Sequence, residues 1–151
     1  MNNIPNPLTD QGMKENFYLD AVVRMHDHFG MTKVTDNLDQ DKFDELMKLR
    51  VSMIQEEVNE LSEALENRDP EEVVDALIDI LVFTFGTVDI IIDGRSFLNC
   101  YSEVMEANMK KKVGIKEGRP NPFGLPDLMK PEGWNPPELD KYLKHVDKRL
   151  S

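Results

Sequence analysis

The sequence predicts an all-α fold, a helical bundle built round a two-helix hairpin. Apolar residues recur at steps of three and four along residues 42–67, a helix-start signal stands at "RDPEEV", and no strand alternation of useful length occurs. At 151 residues the expectation is one domain, with a helical core over about 13–112 and an irregular tail over about 113–151. A chain of this size buries roughly two thirds of its unfolded surface and needs no disulfide or structural zinc.

Each element has its own warrant. Residues 1–12 contain Pro5 and Pro7 and form an irregular arm. A first helix is expected over about 13–29, with Phe17, Ala21, Met25, Phe29 and Val22 at helical spacing and Gly30 as the stop. The polar segment "TKVTDNLDQD" serves as a connector. From about Lys42 to Asn67, Met47, Val51, Ile54, Val58, Leu61 and Leu65 form an amphipathic stripe. In the third helix Asp69 caps, Pro70 takes the first helical position, and Glu72 stands three after the cap. A fourth helix is expected over about 96–111, with Phe97, Tyr101, Val104 and Met105 inward. Beyond it, "GRPNPFGLPDLMKPEGWNPPEL" holds six of the nine prolines, a density that forbids a long regular element. "ELDKYLKHVDKRL" suits a short last helix.

Composition narrows the function. Eighteen basic against twenty-nine acidic residues give a net charge of −11, which argues against contact with a nucleic acid polymer and suits attraction of divalent cations. Cys100 is alone, so a reducing, cytoplasmic setting is expected, with this thiol packed as a small buried hydrophobe. The start, "MNNIPNPLTDQGMKENF", lacks the pattern of a signal peptide. Residues 73–92 approach the length of a membrane span, but Asp75, Asp79 and Asp89 argue against one.

Those aspartates raise the central question, because a carboxylate in an apolar helix needs a partner. On the second helix, "EEVNE" places Glu57 and Glu60 three apart on one face, with Glu56 completing a compact triangle. On the third, Glu72, Asp75 and Asp79 share a face. The short "NRDP" turn makes the helices antiparallel, and at about 1.5 Å per residue the two acidic sets lie at similar heights. Small Ala64 leaves room beside them. Facing carboxylates need a hard cation, and all-oxygen ligation selects Mg²⁺, Mn²⁺ or Ca²⁺ over zinc. The competing reading is a solvated acidic face, with the aspartates paired to Arg50, Arg24 or a lysine.

This constellation resembles the MazG-like all-α nucleoside triphosphate pyrophosphohydrolases, whose signature is EExxE on one helix and ExxD on the next. "EEVNE" matches the first half. In the second half, "DALIDILVF" puts Ala76 at the ExxD glutamate position if Asp79 is the family aspartate, and Asp75 then takes over. Alternatively Glu72 and Asp75 are the literal ExxD. "DALxDILxxxxG", "VVRMHDHFG", "LRVSMIQEEVNEL", "EVMEANMKKK" and "KPEGWNPPEL" are similar to a small phage and bacterial branch.

The resemblance implies hydrolysis between the α- and β-phosphates of a nucleotide. Mg²⁺, with Mn²⁺ as a substitute, would be held by Glu57, Glu60, Asp75 and Asp79, with Glu72 as an alternative ligand. Glu56 would serve as base or second-metal ligand. It also implies phosphate contacts from Asn108 and Lys111, with Lys110 in reserve, and a homodimer with a four-helix core, or a tetramer. His26 could border the nucleotide pocket, but a place on the surface or in the core is the stronger expectation. Arg50, seven before Glu57, would steady the acids. Phe123 and Trp134 are expected to pack rather than stack on a base. The nucleotide stays open, with dUTP, phosphoribosyl-ATP and a guanosine alarmone as alternatives. So does a non-catalytic acidic protein that binds a metal or a partner.

Overall fold

The computed structural model describes residues 17–118, 122–146 and 148–150. Five helices follow in order: α1 (Phe17–His28), α2 (Met31–Asp36), α3 (Gln40–Asn67), α4 (Pro70–Ile91) and α5 (Gly94–Met109). A two-stranded antiparallel sheet, β1 (Lys112–Gly114) and β2 (Asp127–Met129), comes next, then 3₁₀ segments at Asp140–His145 and Lys148–Leu150. The class is all-α, as predicted. Contacts group the chain into two compact units, one running to Gly94 and resuming at Val146, the other spanning Arg95–His145.

In the first unit α4 is the axis, with α3 packed along it and α1 against it. Local chemistry sets the ends of the hairpin. Arg68 takes a left-handed conformation (φ 56°), and the amides of Arg68 and Asp69 donate back to the carbonyls of Leu65 and Ala64. That is a Schellman ending, with arginine where glycine is usual. Asp69 then accepts from the amides of Glu71 and Glu72, and Pro70 opens α4 as the sequence predicts. Buried Ala64 and Ala76 keep the seam between the helices thin. Phe43 is fully buried, with the Arg149 guanidinium 4.2 Å from its ring centroid.

Several expectations are corrected. The buried line of α1 is Leu19, Val22 and His26, while Phe17, Met25 and Phe29 are exposed. Polar bonding decides this, because α1 turns His26 toward α4 to meet Asp89. The stripe of α3 splits: Met47, Ile54 and Leu61 are half-buried, whereas Val51, Val58 and Leu65 remain on the surface. Within one chain α4 covers only one side of α3. The connector hides α2, a helix too short for periodicity to show, which starts after the turn at Gly30 (φ 69°). Strands of three residues likewise leave no alternation to detect. The last helix is 3₁₀ in form, Cys100 is half-buried, and Phe123 is 81% exposed rather than packed. The expected start of the first helix, residues 13–16, lies outside the described residues. No described helix is long and apolar enough to cross a membrane.

Gly86 sits in the middle of the most apolar helix because a side chain there would collide. A Cβ would overlap Arg50 Nη2 and stand 3.0 Å from His26 Nε2. Alanine favours a helix over glycine by about 1 kcal/mol, while disturbing a buried hydrogen-bonded network costs about 1–3 kcal/mol. Gly86→Ala is therefore expected to lower the denaturation midpoint despite its better propensity. An unchanged or higher midpoint would show that the Arg50 guanidinium is free to move aside.

Candidate active site

The acidic set sits on the two helices with the best-defined register. Glu57 on α3 and Asp79 on α4 are half-buried, while Glu56, Glu60, Asp75 and Glu72 are exposed. Four carboxylates act on Glu57. Desolvation is the largest cause holding its carboxyl above the ordinary glutamate range, followed by the charges of Glu60, Asp79, Glu56 and Asp75. Both helices thus contribute to one negative field. Glu60 and Glu72 also face a common cavity of about 350 Å³ beside the turn, lined further by Glu63, Ala64, Asn67 and Asp69.

No described basic side chain pairs with Glu56, Glu57, Glu60, Asp75 or Asp79. Arg50, expected to steady them, does something else. It is 5% exposed, donates from Nε to Thr87 Oγ1 (3.1 Å) and from Nη2 to the Phe83 carbonyl (2.8 Å), and lies over the Phe83 ring. Seven residues are about 10.5 Å of helix, so Glu57 is two turns away while the α4 backbone is close. Burial lowers the pKa of Arg50. His26 is 2% exposed, with Nδ1 2.7 Å from Asp89 Oδ2. The solvated-face reading had offered Arg50 to the aspartates, and its bonds exclude that pairing.

As ligands, the acids fit a hard cation by donor chemistry and by charge: all are carboxylates, they repel, and no described side chain supplies a counter-charge. Among the described residues no three acidic, histidine or cysteine side chains converge as round an ion. The second unit holds the other candidates. Lys111 Nζ donates to Asn108 Oδ1 at 2.8 Å, and exposed Lys110 borders a separate cavity of about 330 Å³ with Trp134. Trp134 packs as expected, its Nε1 donating to the Ala107 carbonyl at 2.7 Å.

The sequence assigns no structural role to Thr87, shows Gly86 only as the last residue of "DALxDILxxxxG", and offers Asp89 only as an argument against a membrane span. A glycine inside an otherwise apolar helix was the available signal, marking a close approach by another group.

The acids stand on both arms of one helical hairpin, and none pairs with a described basic side chain. Comparison gives the family: residues 24–90 match the model of the phosphoribosyl-ATP pyrophosphohydrolase family and form a domain of it, within the MazG-like all-α pyrophosphohydrolase superfamily. The match contains α3, almost all of α4, and every acid named above. The chain is accordingly an enzyme that hydrolyses nucleotide pyrophosphate bonds. No significant match to a curated protein or to a solved structure was found.

Glu57 makes a pH-dependent prediction. A raised carboxyl pKa means that the folded state holds the proton more readily than the unfolded chain. Stability therefore falls as pH rises from the ordinary glutamate range through the raised value. In chelator-containing buffer, Glu57→Gln is expected to melt above wild type at pH 7, with the gap closing as the pH drops toward 4. A gap that does not change with pH would contradict the repulsion.

Proposed function

We propose that this protein hydrolyses nucleoside triphosphates to nucleoside monophosphates and pyrophosphate, using a divalent cation at the acidic face of α3 and α4. The observation that carries the reading is Glu57, whose carboxyl is held up first by desolvation and then by the charges of four neighbouring carboxylates, none of them paired with a described basic side chain. Mg²⁺ or Mn²⁺ held by Glu57, Glu60, Asp75 and Asp79, with Glu72 as a further oxygen donor, would neutralise phosphate oxygens and acidify water. Glu56, exposed on the adjacent line of α3, takes the proton of the attacking water. The water oxygen bonds to the α-phosphorus, the bond from that phosphorus to the α–β bridging oxygen breaks, and pyrophosphate leaves with that oxygen. Phosphoryl transfer of this kind depends on positioning and charge and requires no covalent nucleophile. Asn108 and Lys111 offer an amide and an ammonium to phosphate oxygens.

Two copies pair, in this reading, through the uncovered strips of α3 and α4. Val51, Val58 and Leu65 lie seven apart on α3, and Val74, Leu77, Ile78 and Leu81 are exposed on α4. Covering both strips at once forms a four-helix core, and two such dimers make the tetramer that the resemblance also allows. Cys100, the sole cysteine of the sequence and so in no intrachain disulfide, suits the reducing cytoplasm. Phosphoribosyl-ATP, named by the matched family, is a second candidate substrate. A panel of nucleotides that includes it separates the two readings.

Turnover in ¹⁸O-labelled water tests the bond assignment. Label is expected in the nucleoside monophosphate, with unlabelled pyrophosphate leaving whole. Orthophosphate plus a diphosphate would mean attack at the γ-phosphorus and would overturn the reading. Glu57→Gln and Asp79→Asn should each lose activity by roughly 10²–10³-fold or more, the scale of removing a transition-state charge stabiliser, while keeping the helical circular dichroism of wild type. Near wild-type turnover in either variant at saturating Mg²⁺ would remove these residues from the site.

A further inference from the structure

The tail beyond the matched family segment carries a second charged device, built on the lone tryptophan. Trp134 is fixed from two sides. Its indole N–H satisfies the Ala107 carbonyl, one of the last-turn carbonyls of α5 that the helix cannot satisfy itself. Its backbone amide donates to the Pro131 carbonyl at 3.0 Å, closing a turn whose third residue, Gly133, has φ 75°. The ring so placed has two ammonium groups over it: Lys130 Nζ at 4.8 Å and Lys111 Nζ at 5.6 Å from its centroid.

The sheet register explains why those two lysines meet. Lys112 pairs with Met129, so Lys111 and Lys130 stand opposite one another one step beyond the ladder. Like charges directly opposed across a strand pair are destabilising. Among the described residues neither ammonium is relieved by a carboxylate: there Lys111 has the neutral Asn108 oxygen and the ring, and Lys130 the ring. This occurs in a chain with twenty-nine acidic residues, where a partner was available in composition. Lys141, in the same unit, is neutralised by Glu103 at 2.6 Å.

We propose that Lys130 and Lys111 form a dibasic clamp over Trp134 that grips a condensed phosphate, either the polyphosphate chain of the nucleotide or free pyrophosphate. Two compact cations over one rigid ring match a ligand with several anionic oxygens in a row, and lysine binds phosphate as a point charge. Asn108 holds Lys111 in place, and the Pro131–Trp134 turn brings the ring under Lys130. The proposal rests on the pyrophosphohydrolase reading only for the natural source of the anion.

Trp134 is the sole tryptophan, so its fluorescence reports directly. The full chain is titrated with inorganic pyrophosphate in chelator, which removes metal-dependent binding at the acidic face. A saturable change is expected in wild type. Lys130→Gln and Lys111→Gln should each weaken it at least tenfold, while Lys130→Arg keeps it. Lys112→Gln should behave as wild type, because successive strand residues point to opposite faces. No saturable change in wild type, or equal affinity in Lys130→Gln and Lys112→Gln, overturns the clamp. Steady-state assays then identify the source. A raised KM for the triphosphate in Lys130→Gln places the substrate there, and relief of pyrophosphate inhibition with KM unchanged places the product there. A protein that turns over no nucleotide yet binds pyrophosphate through Lys130 sinks the proposed function and keeps the clamp. One that turns over nucleotide with KM and pyrophosphate binding indifferent to Lys130→Gln sinks the clamp alone.

Discussion

Repulsion among carboxylates across the α3–α4 seam is the constraint from which the rest of the account follows. Glu57 feels Glu60 and Glu56 from its own helix and Asp75 and Asp79 from the next. Such crowding persists only because the backbone imposes it. The Schellman ending at Arg68, the Asp69 cap and Pro70 reverse the chain within two residues and fix which acids face each other. Buried Ala64 and Ala76 let the helices approach closely. A cation is the simplest chemistry that turns this cost into a function.

The one strongly buried cation of the hairpin serves a different purpose. Arg50 spends its donors on the Phe83 carbonyl and Thr87, in a space that only glycine at position 86 leaves open. On α4's other neighbour, His26 bonds Asp89. These ties hold α3 and α1 to α4 with polar bonds inside an apolar helix, where each lost partner would leave a buried group unsatisfied. Because Arg50 is committed there, it is withheld from the carboxylates. The hairpin is thus braced at one place and left electrostatically strained at another.

Much of this was legible in the residues. The boundaries of α3 and α4 followed from periodicity and from the "RDPEEV" signal, since caps and prolines act locally. The shared face of the acids followed from helical spacing and a two-residue turn. What spacing could not supply was the direction of side chains that serve two masters. Periodicity gave α1 an apolar stripe through Phe17, Met25 and Phe29, yet the His26–Asp89 bond turned another face inward. Arg50 lay on the same side of α3 as Glu57, and only the position of α4 revealed which acceptor was nearer. The opposition of Lys111 and Lys130 depended on a three-residue strand pair too short to leave a pattern.

Thermal unfolding of wild type and Asp79→Asn as a function of Mn²⁺ concentration tests the central claim most directly. A cation that binds the folded carboxylates and not the unfolded chain stabilises by mass action, by about 1.4 kcal/mol for each tenfold rise in concentration above its dissociation constant. Wild-type Tm should climb steadily with Mn²⁺. Asp79→Asn should start above wild type in chelator, having lost one repelling charge, and respond far less to the metal. Parallel responses in the two proteins, or a wild type whose Tm ignores Mn²⁺, would contradict it.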